Sequence, residues 1–177
     1  YLDGREGNDS LEGGIGDDTY IFDIGYRHDN IWDDGGNDNI QFGGGILESD
    51  VHVSRDGDSL KLKFSTSSDE LTLRDWFKAR SLIEQVRFTN GGVVWDAAAL
   101  EAKSMLGTSG ADTLLSGDGE DTLIGYQGDD TYKVNVSGDV IIENANEGMY
   151  TVESTADSYT LSANLENLTL LGDAYID

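Results

Sequence analysis

Five nine-residue units carry an aspartate at their sixth position: GREGNDSLE at 4–12, GGIGDDTYI at 13–21, GTSGADTLL at 107–115, SGDGEDTLI at 116–124 and GYQGDDTYK at 125–133. Those aspartates are Asp9, Asp18, Asp112, Asp121 and Asp130. Glycines at positions 1, 2 and 4 permit a tight turn with φ > 0 whose carbonyls converge, and the aspartate adds a carboxylate to the same concavity. Such a turn is an oxygen cage. Calcium takes 6–8 hard oxygen ligands at about 2.3–2.6 Å in flexible geometry, which suits two turns stacked one above the other; magnesium demands a stricter octahedron and keeps its waters. Calcium is therefore the expected ion.

The remaining three positions of each unit read as a short strand. Its central residue points away from its neighbours, so Leu11, Tyr20, Leu114, Leu123 and Tyr132 line a thin core. Two units make one turn of a coil, so turns on one side recur at every second unit and a shared ion joins aspartates about eighteen residues apart. Asp112 meets Asp130 at that separation, and Asp121 meets Asp139 in the degenerate unit SGDVII. In the first block Asp29–Asn30–Ile31 and Asp38–Asn39–Ile40 repeat the core shifted by two residues, so Asp9 pairs with Asp29 and Asp18 with Asp38. Four pairs predict about four calcium ions. The backbone donors nominated with them are Gly4, Gly13, Ile15, Gly16, Gly107, Ser109, Gly125 and Gln127. Arg27 and Ser137 stand where position 4 calls for glycine, which leaves Asp18/Asp38 and Asp112/Asp130 nearest the pattern.

Composition points the same way. Among 177 residues, 11 Lys and Arg face 35 Asp and Glu, a formal charge of −24. That field repels phosphate backbones and anionic membranes, so no nucleic-acid partner and no membrane insertion are expected. No apolar run approaches the roughly 20 residues that span a bilayer. The absence of cysteine excludes disulfides and thiolate metal sites. Hydrophobic residues make up only 37%, and chains of low hydrophobicity and high charge tend not to fold unaided. A cation bound only by the folded state would offset the repulsion, and four divalent ions would bring the charge from −24 to about −16.

Residues 43–96 alternate instead: Val51 and Val53, then Leu60, Leu62 and Phe64, then Leu71 and Leu73, then Val86 and Phe88, then Val93 and Trp95. Asp56–Gly57 and Asn90–Gly91 are hairpin signals, which predicts an antiparallel meander with an irregular excursion near Asp75–Arg80 bearing Trp76 and Phe77. AAALEAKSML follows as a helix, with Asp96 as its N-cap and Gly107 as its stop. The expected architecture is all-β: a parallel β-roll in two blocks, 1–42 and 107–177, joined by an antiparallel β cap, 43–96, and a short helix, 97–106. A stacked coil needs such a cap, because its last core layer and strand edges are otherwise exposed.

The nonapeptides resemble the GGxGxDxUx repeat of the RTX (repeats-in-toxin, haemolysin-type calcium-binding) family. The run GGNDNI, then Trp76–Phe77 and Val94–Trp95–Asp96, is similar to the haemolysin-type calcium-binding-related domain. GDV, ENANEG, TVES and NLENLTL are similar to the tail of RTX arrays, except that Met149–Tyr150 stands where Thr-Asp is usual, removing the carboxylate that would close the next site. The resemblance implies a calcium-binding module of a secreted bacterial protein, extracellular or on the cell surface, exported through a type I channel and folding on calcium. The chain opens in mid-pattern, with Leu2 at position 8 of an earlier unit, so the rest of a larger RTX polypeptide is an expected partner.

A calcium-dependent adhesin or glycan- or cell-surface-binding module is the alternative, with Trp32, Trp76, Trp95 and Tyr26 as its aromatic candidates. No enzyme is expected from this segment: it lacks G-x-S-x-G, H-E-x-x-H and Walker motifs, and with 35 acids a catalytic-looking pair arises by chance. His28 and His52 have no second histidine or cysteine with which to form a transition-metal site. They are expected in a turn and on a strand surface, with the His28 carbonyl a candidate ligand in its calcium turn.

Overall fold

The structure is a computed structural model and describes residues 1–78 and 83–171. Arg80, at the end of the expected excursion, and the last six residues of the second block lie outside the described residues. The chain divides into two compact units, Tyr1–Lys103 and Ser104–Asp177.

In the first unit the short strands β1 (Leu2–Asp3), β2 (Ser10–Glu12), β3 (Thr19–Phe22), β4 (His28–Trp32) and β5 (Asp38–Phe42) alternate between two sheets. Pairing is parallel, with Leu2 opposite Tyr20 and Tyr20 opposite Ile40 on one side, and Leu11 opposite Ile31 on the other. This is a parallel coil of the expected kind. Its core is thin at the start, where Leu11 is only half-buried, and Tyr20, Ile31 and Ile40 close it further along.

The next five strands are β6 (Val51–Asp56), β7 (Ser59–Phe64), β8 (Glu70–Leu73), β9 (Ile83–Phe88) and β10 (Val94–Asp96). Both hairpins form as expected, β6 with β7 and β9 with β10. The meander, however, does not run through. β8 joins β4 in parallel while β9 joins β5 in parallel, so the cap divides and extends both sheets of the coil. Local hairpin chemistry cannot encode that choice; it follows from covering two exposed strand edges at once.

The division also supplies the interior that the nonapeptides lack. Leu60, Leu62, Leu71, Leu73, Val86 and Trp76 are buried against the coil's Phe22 and Phe42. Phe22 stacks on Phe64 at 5.1 Å and Phe88 meets Trp95 edge-on at 4.7 Å; each such buried side chain contributes about 1.5–3 kcal/mol. Helix α1 (Ala97–Ser104) follows, and the Asp96 carboxylate accepts the Ala99 amide at 2.8 Å, so the N-cap is as read from sequence.

In the second unit β11 (Thr113–Leu115), β13 (Thr131–Val134), β15 (Thr151–Ser154) and β16 (Asn167–Leu170) form one parallel sheet, and β12 (Thr122–Ile124) pairs with β14 (Val140–Ile142) in another. The tail therefore continues the coil. Tyr132, Leu123, Ile141, Tyr150 and Val152 fill its centre.

The cap also closes backbone groups. Arg27, at a position meant for glycine, sits at φ 72°, a left-handed backbone that costs a non-glycine residue about 1–2 kcal/mol. Asp69 holds that turn, accepting the Gly25 amide at 2.7 Å, the Arg27 amide at 3.0 Å and the Ser67 hydroxyl at 2.8 Å. Replacing Asp69 by Ala strands two amides and should cost about 2 kcal/mol. Chemical denaturation in calcium reads this, and an unchanged midpoint would contradict it.

Candidate metal centres

Where position 1 is glycine, the turn brings it against its own position-6 carboxylate. A β-carbon on Gly4 would stand 3.0 Å from Asp9 Oδ2, one on Gly13 2.8 Å from Asp18 Oδ2, and one on Gly107 3.0 Å from Asp112 Oδ2. Successive turns then stack closely. A β-carbon on Gly36 would overlap the Gly16 carbonyl, and Gly16 itself sits at φ 133°, so side chains are excluded from this contact. The side chains of Ile15, Ser109 and Gln127 are exposed, which leaves only their backbone at the turns.

All four aspartate pairs read from the sequence come together, and by one recurring bond. The amide of Asp9 donates to Asp29 Oδ1 at 2.9 Å and that of Asp18 to Asp38 Oδ1 at 2.7 Å. The amide of Asp112 donates to Asp130 Oδ1 at 2.8 Å and that of Asp121 to Asp139 Oδ1 at 3.0 Å. One oxygen of each receiving carboxylate is thus tied to the coil before it.

The second oxygen differs among them. Asp139 Oδ2 accepts the Asn135 and Val136 amides at 3.1 and 3.3 Å, and Asp112 Oδ2 accepts the Thr108 amide at 2.6 Å. In contrast, Oδ2 of Asp9, Asp29, Asp38 and Asp130 is buried with no hydrogen-bond partner among the described residues. None of these four enters an ion pair among the described residues. A buried carboxylate oxygen without a partner costs several kcal/mol unless a cation meets it. The residues present therefore fit a hard divalent ion.

Electrostatics agree. Burial pushes the carboxyls of Asp29 and Asp130 above their ordinary range. Asp38 rises from 3.8 to about 6, through burial first and the neighbouring Asp33 and Glu84 charges after it. Asp69 shows the opposite balance: burial would raise it, but the Gly25 and Arg27 amides and the Ser67 hydroxyl outweigh that and hold it low.

Several acids at these centres were not read from the sequence. Asp33 lies with Asp18 and Asp38, their ligand atoms within 4.8 Å of one another, and accepts the Tyr20 hydroxyl at 2.5 Å and the Gly35 amide at 2.8 Å. Glu84, from the cap, takes the Asp38 amide at 2.6 Å and so occupies the rung a further coil would fill. Asp33 was legible as an acid at position 1 of its turn; Glu84 belongs to no repeat and carried no signal. His28 opens β4, its ring nitrogen 3.0 Å from the Ser68 carbonyl, and His52 lies on β6.

Comparison with known families accounts for this construction. Residues 1–28 and 106–135 match the RTX calcium-binding nonapeptide repeat (4 copies), and residues 60–99 match the haemolysin-type calcium binding protein related domain. The chain thus carries RTX calcium-binding repeats on either side of such a domain in sequence, which supports a calcium-binding module of RTX type. Among solved structures it is similar to the extracellular lipase LipA from Serratia marcescens, at 18% identity and a TM-score of 0.23, over 85% of this chain and 26% of the lipase. It spans about a quarter of that protein's length (26%). No curated protein matches the chain.

Two outcomes follow. Asp18→Ala or Asp130→Ala should weaken calcium binding on the order of tenfold, and Asp139→Ala less, because the bends of the first two hold an unmatched oxygen and Asp139 has local amide partners; equal calorimetric titrations would contradict the ranking. The second outcome concerns pH. A carboxyl raised in the folded state favours folding when protonated, fully below its unfolded value and no longer above its folded one. In excess chelator, folded structure should therefore increase as pH falls through about 6 toward 4, the window set by Asp38. Circular dichroism that stays flat or loses sheet signal over that window would contradict it.

Proposed function

We infer that this chain is a calcium-dependent folding module of a secreted bacterial protein. At the low free calcium of a bacterial cytoplasm its charge keeps it expanded, and at the higher calcium outside the cell the repeats close. The observation that supports this most is the set of three buried aspartates, Asp29, Asp38 and Asp130, each with Oδ1 tied to an amide of the coil before it and Oδ2 left unmatched among the described residues, in a chain of net charge −24. Without a cation those oxygens oppose closure; with one they favour it by mass action.

The reading makes the unfolded state useful, since a type I export channel passes an extended chain. It assigns no catalytic step to these residues, and any activity belongs to other parts of a larger polypeptide. The alternative of glycan or cell-surface recognition has less to work with, because Trp76 and Trp95 are both only 3% exposed and serve the core. About four ions remain the expected complement, one for each aspartate pair.

Circular dichroism with and without calcium tests the proposal. Calcium should raise the sheet signal and chelation remove it at neutral pH. An identical spectrum in excess chelator would defeat the proposal.

A further inference from the structure

The second unit contains a bend that departs from the aspartate pairing. Thr131 is opposite Thr151 in register, so Tyr150 stands one coil beyond Asp130 and presents no carboxylate at position 6. Yet the turns still stack: the Gly128 amide donates to the Glu147 carbonyl at 3.0 Å, and a β-carbon on Gly148 would overlap the Gly128 carbonyl.

Glu143 reaches into the space left. Ile142 is opposite Ile124, so Glu143 lies beside Gly125, whose amide donates to Glu143 Oε1 at 3.1 Å. A β-carbon on Gly125 would overlap three oxygens at once, the Tyr132 hydroxyl, Asp130 Oδ2 and Glu143 Oε1. Those oxygens crowd one point. Asp130, Glu143 and Tyr132 are 1%, 7% and 0% exposed. Among the described residues Asp130 Oδ2 and the Tyr132 hydroxyl have no hydrogen-bond partner, and the Glu143 carboxylate, besides the Gly125 amide, has the Tyr150 hydroxyl against it but no cation. Two buried carboxylates face each other here with no basic group paired to either among the described residues, an arrangement that repels unless a positive charge joins it.

The first unit repeats the device. Asp33 stands beside Gly13 as Glu143 stands beside Gly125, and a β-carbon on Gly13 would meet the Tyr20 hydroxyl, Asp33 Oδ2 and Asp18 Oδ2. There position 6 of the same turn is still an aspartate, Asp38, so Asp33 joins a complete pair. In the second unit the position-1 acid stands alone.

We propose that Glu143, with Asp130, holds a further divalent cation of calcium type between the turns at 125–130 and 143–150, beyond the ions of the four aspartate pairs. The proposal rests on the calcium-binding reading above. Glu143 restores from position 1 the carboxylate lost at Tyr150, and one divalent ion balances the two buried charges. Tyr132 brings its hydroxyl to the same point of the turn as Tyr20 does in the first unit, but whereas the Tyr20 hydroxyl donates to Asp33, that of Tyr132 makes no hydrogen bond among the described residues.

Crystals of the unaltered chain soaked in terbium, a calcium mimic visible by anomalous scattering, give the test. A peak within about 2.3–2.6 Å of both Asp130 and Glu143, separate from the peak at Asp112 and Asp130, is expected. In solution, Glu143→Gln should bind one calcium fewer per chain by equilibrium dialysis, with the sheet signal in calcium retained. Peaks at the aspartate pairs with none at Glu143, the two acids then sharing a proton, would overturn this inference alone. No peak at any bend would overturn the calcium-binding reading with it.

Discussion

The structure depends on a carboxylate that is half satisfied. One oxygen of each receiving aspartate is anchored by an amide of the coil before it, which fixes the register between coils and carries the carboxylate out of water. At Asp29, Asp38 and Asp130 the other oxygen meets no partner among the described residues. Neutral hydrogen bonds contribute about 0.5–1.5 kcal/mol net, less than the cost of stranding a buried anion. The ladder is therefore built to be completed by positive charge, and the sequence offers almost none: 11 basic residues against 35 acids.

The haemolysin-type domain solves a different problem with the same chemistry. A coil that ends must satisfy its last amides and cover its last layer. Asp69 and Glu84 do the first, Asp69 taking the Gly25 and Arg27 amides and Glu84 the Asp38 amide, while Leu60, Leu62, Leu71, Leu73 and Val86 do the second. Asp69 needs no metal because two amides and a hydroxyl stabilise its charge. Asp38, with one amide and two acidic neighbours, lacks that compensation.

What could be read from the sequence follows the same division between local and distant causes. The pairs Asp9/Asp29, Asp18/Asp38, Asp112/Asp130 and Asp121/Asp139 were legible because a coil of two nonapeptides per turn fixes their spacing, even where two inserted residues stretch it. Asp56–Gly57 and Asn90–Gly91 announced their hairpins through turn chemistry alone. The separation of β8 from β9 was not legible, since each pairs with a coil strand far away in sequence. Glu143 and Asp33 were visible but unread: they replace a glycine of the motif, and only the fold shows them facing the aspartate of the preceding turn.

Residue-resolved amide hydrogen exchange reads this ladder directly, because the amides of Asp9, Asp18, Asp112 and Asp121 are its rungs. With calcium these four amides should be protected to the level of the core strands, and chelator at neutral pH should abolish that protection together. Rungs that stay protected in chelator would mean that the half-satisfied carboxylates hold without a cation, and the account would be wrong at its base.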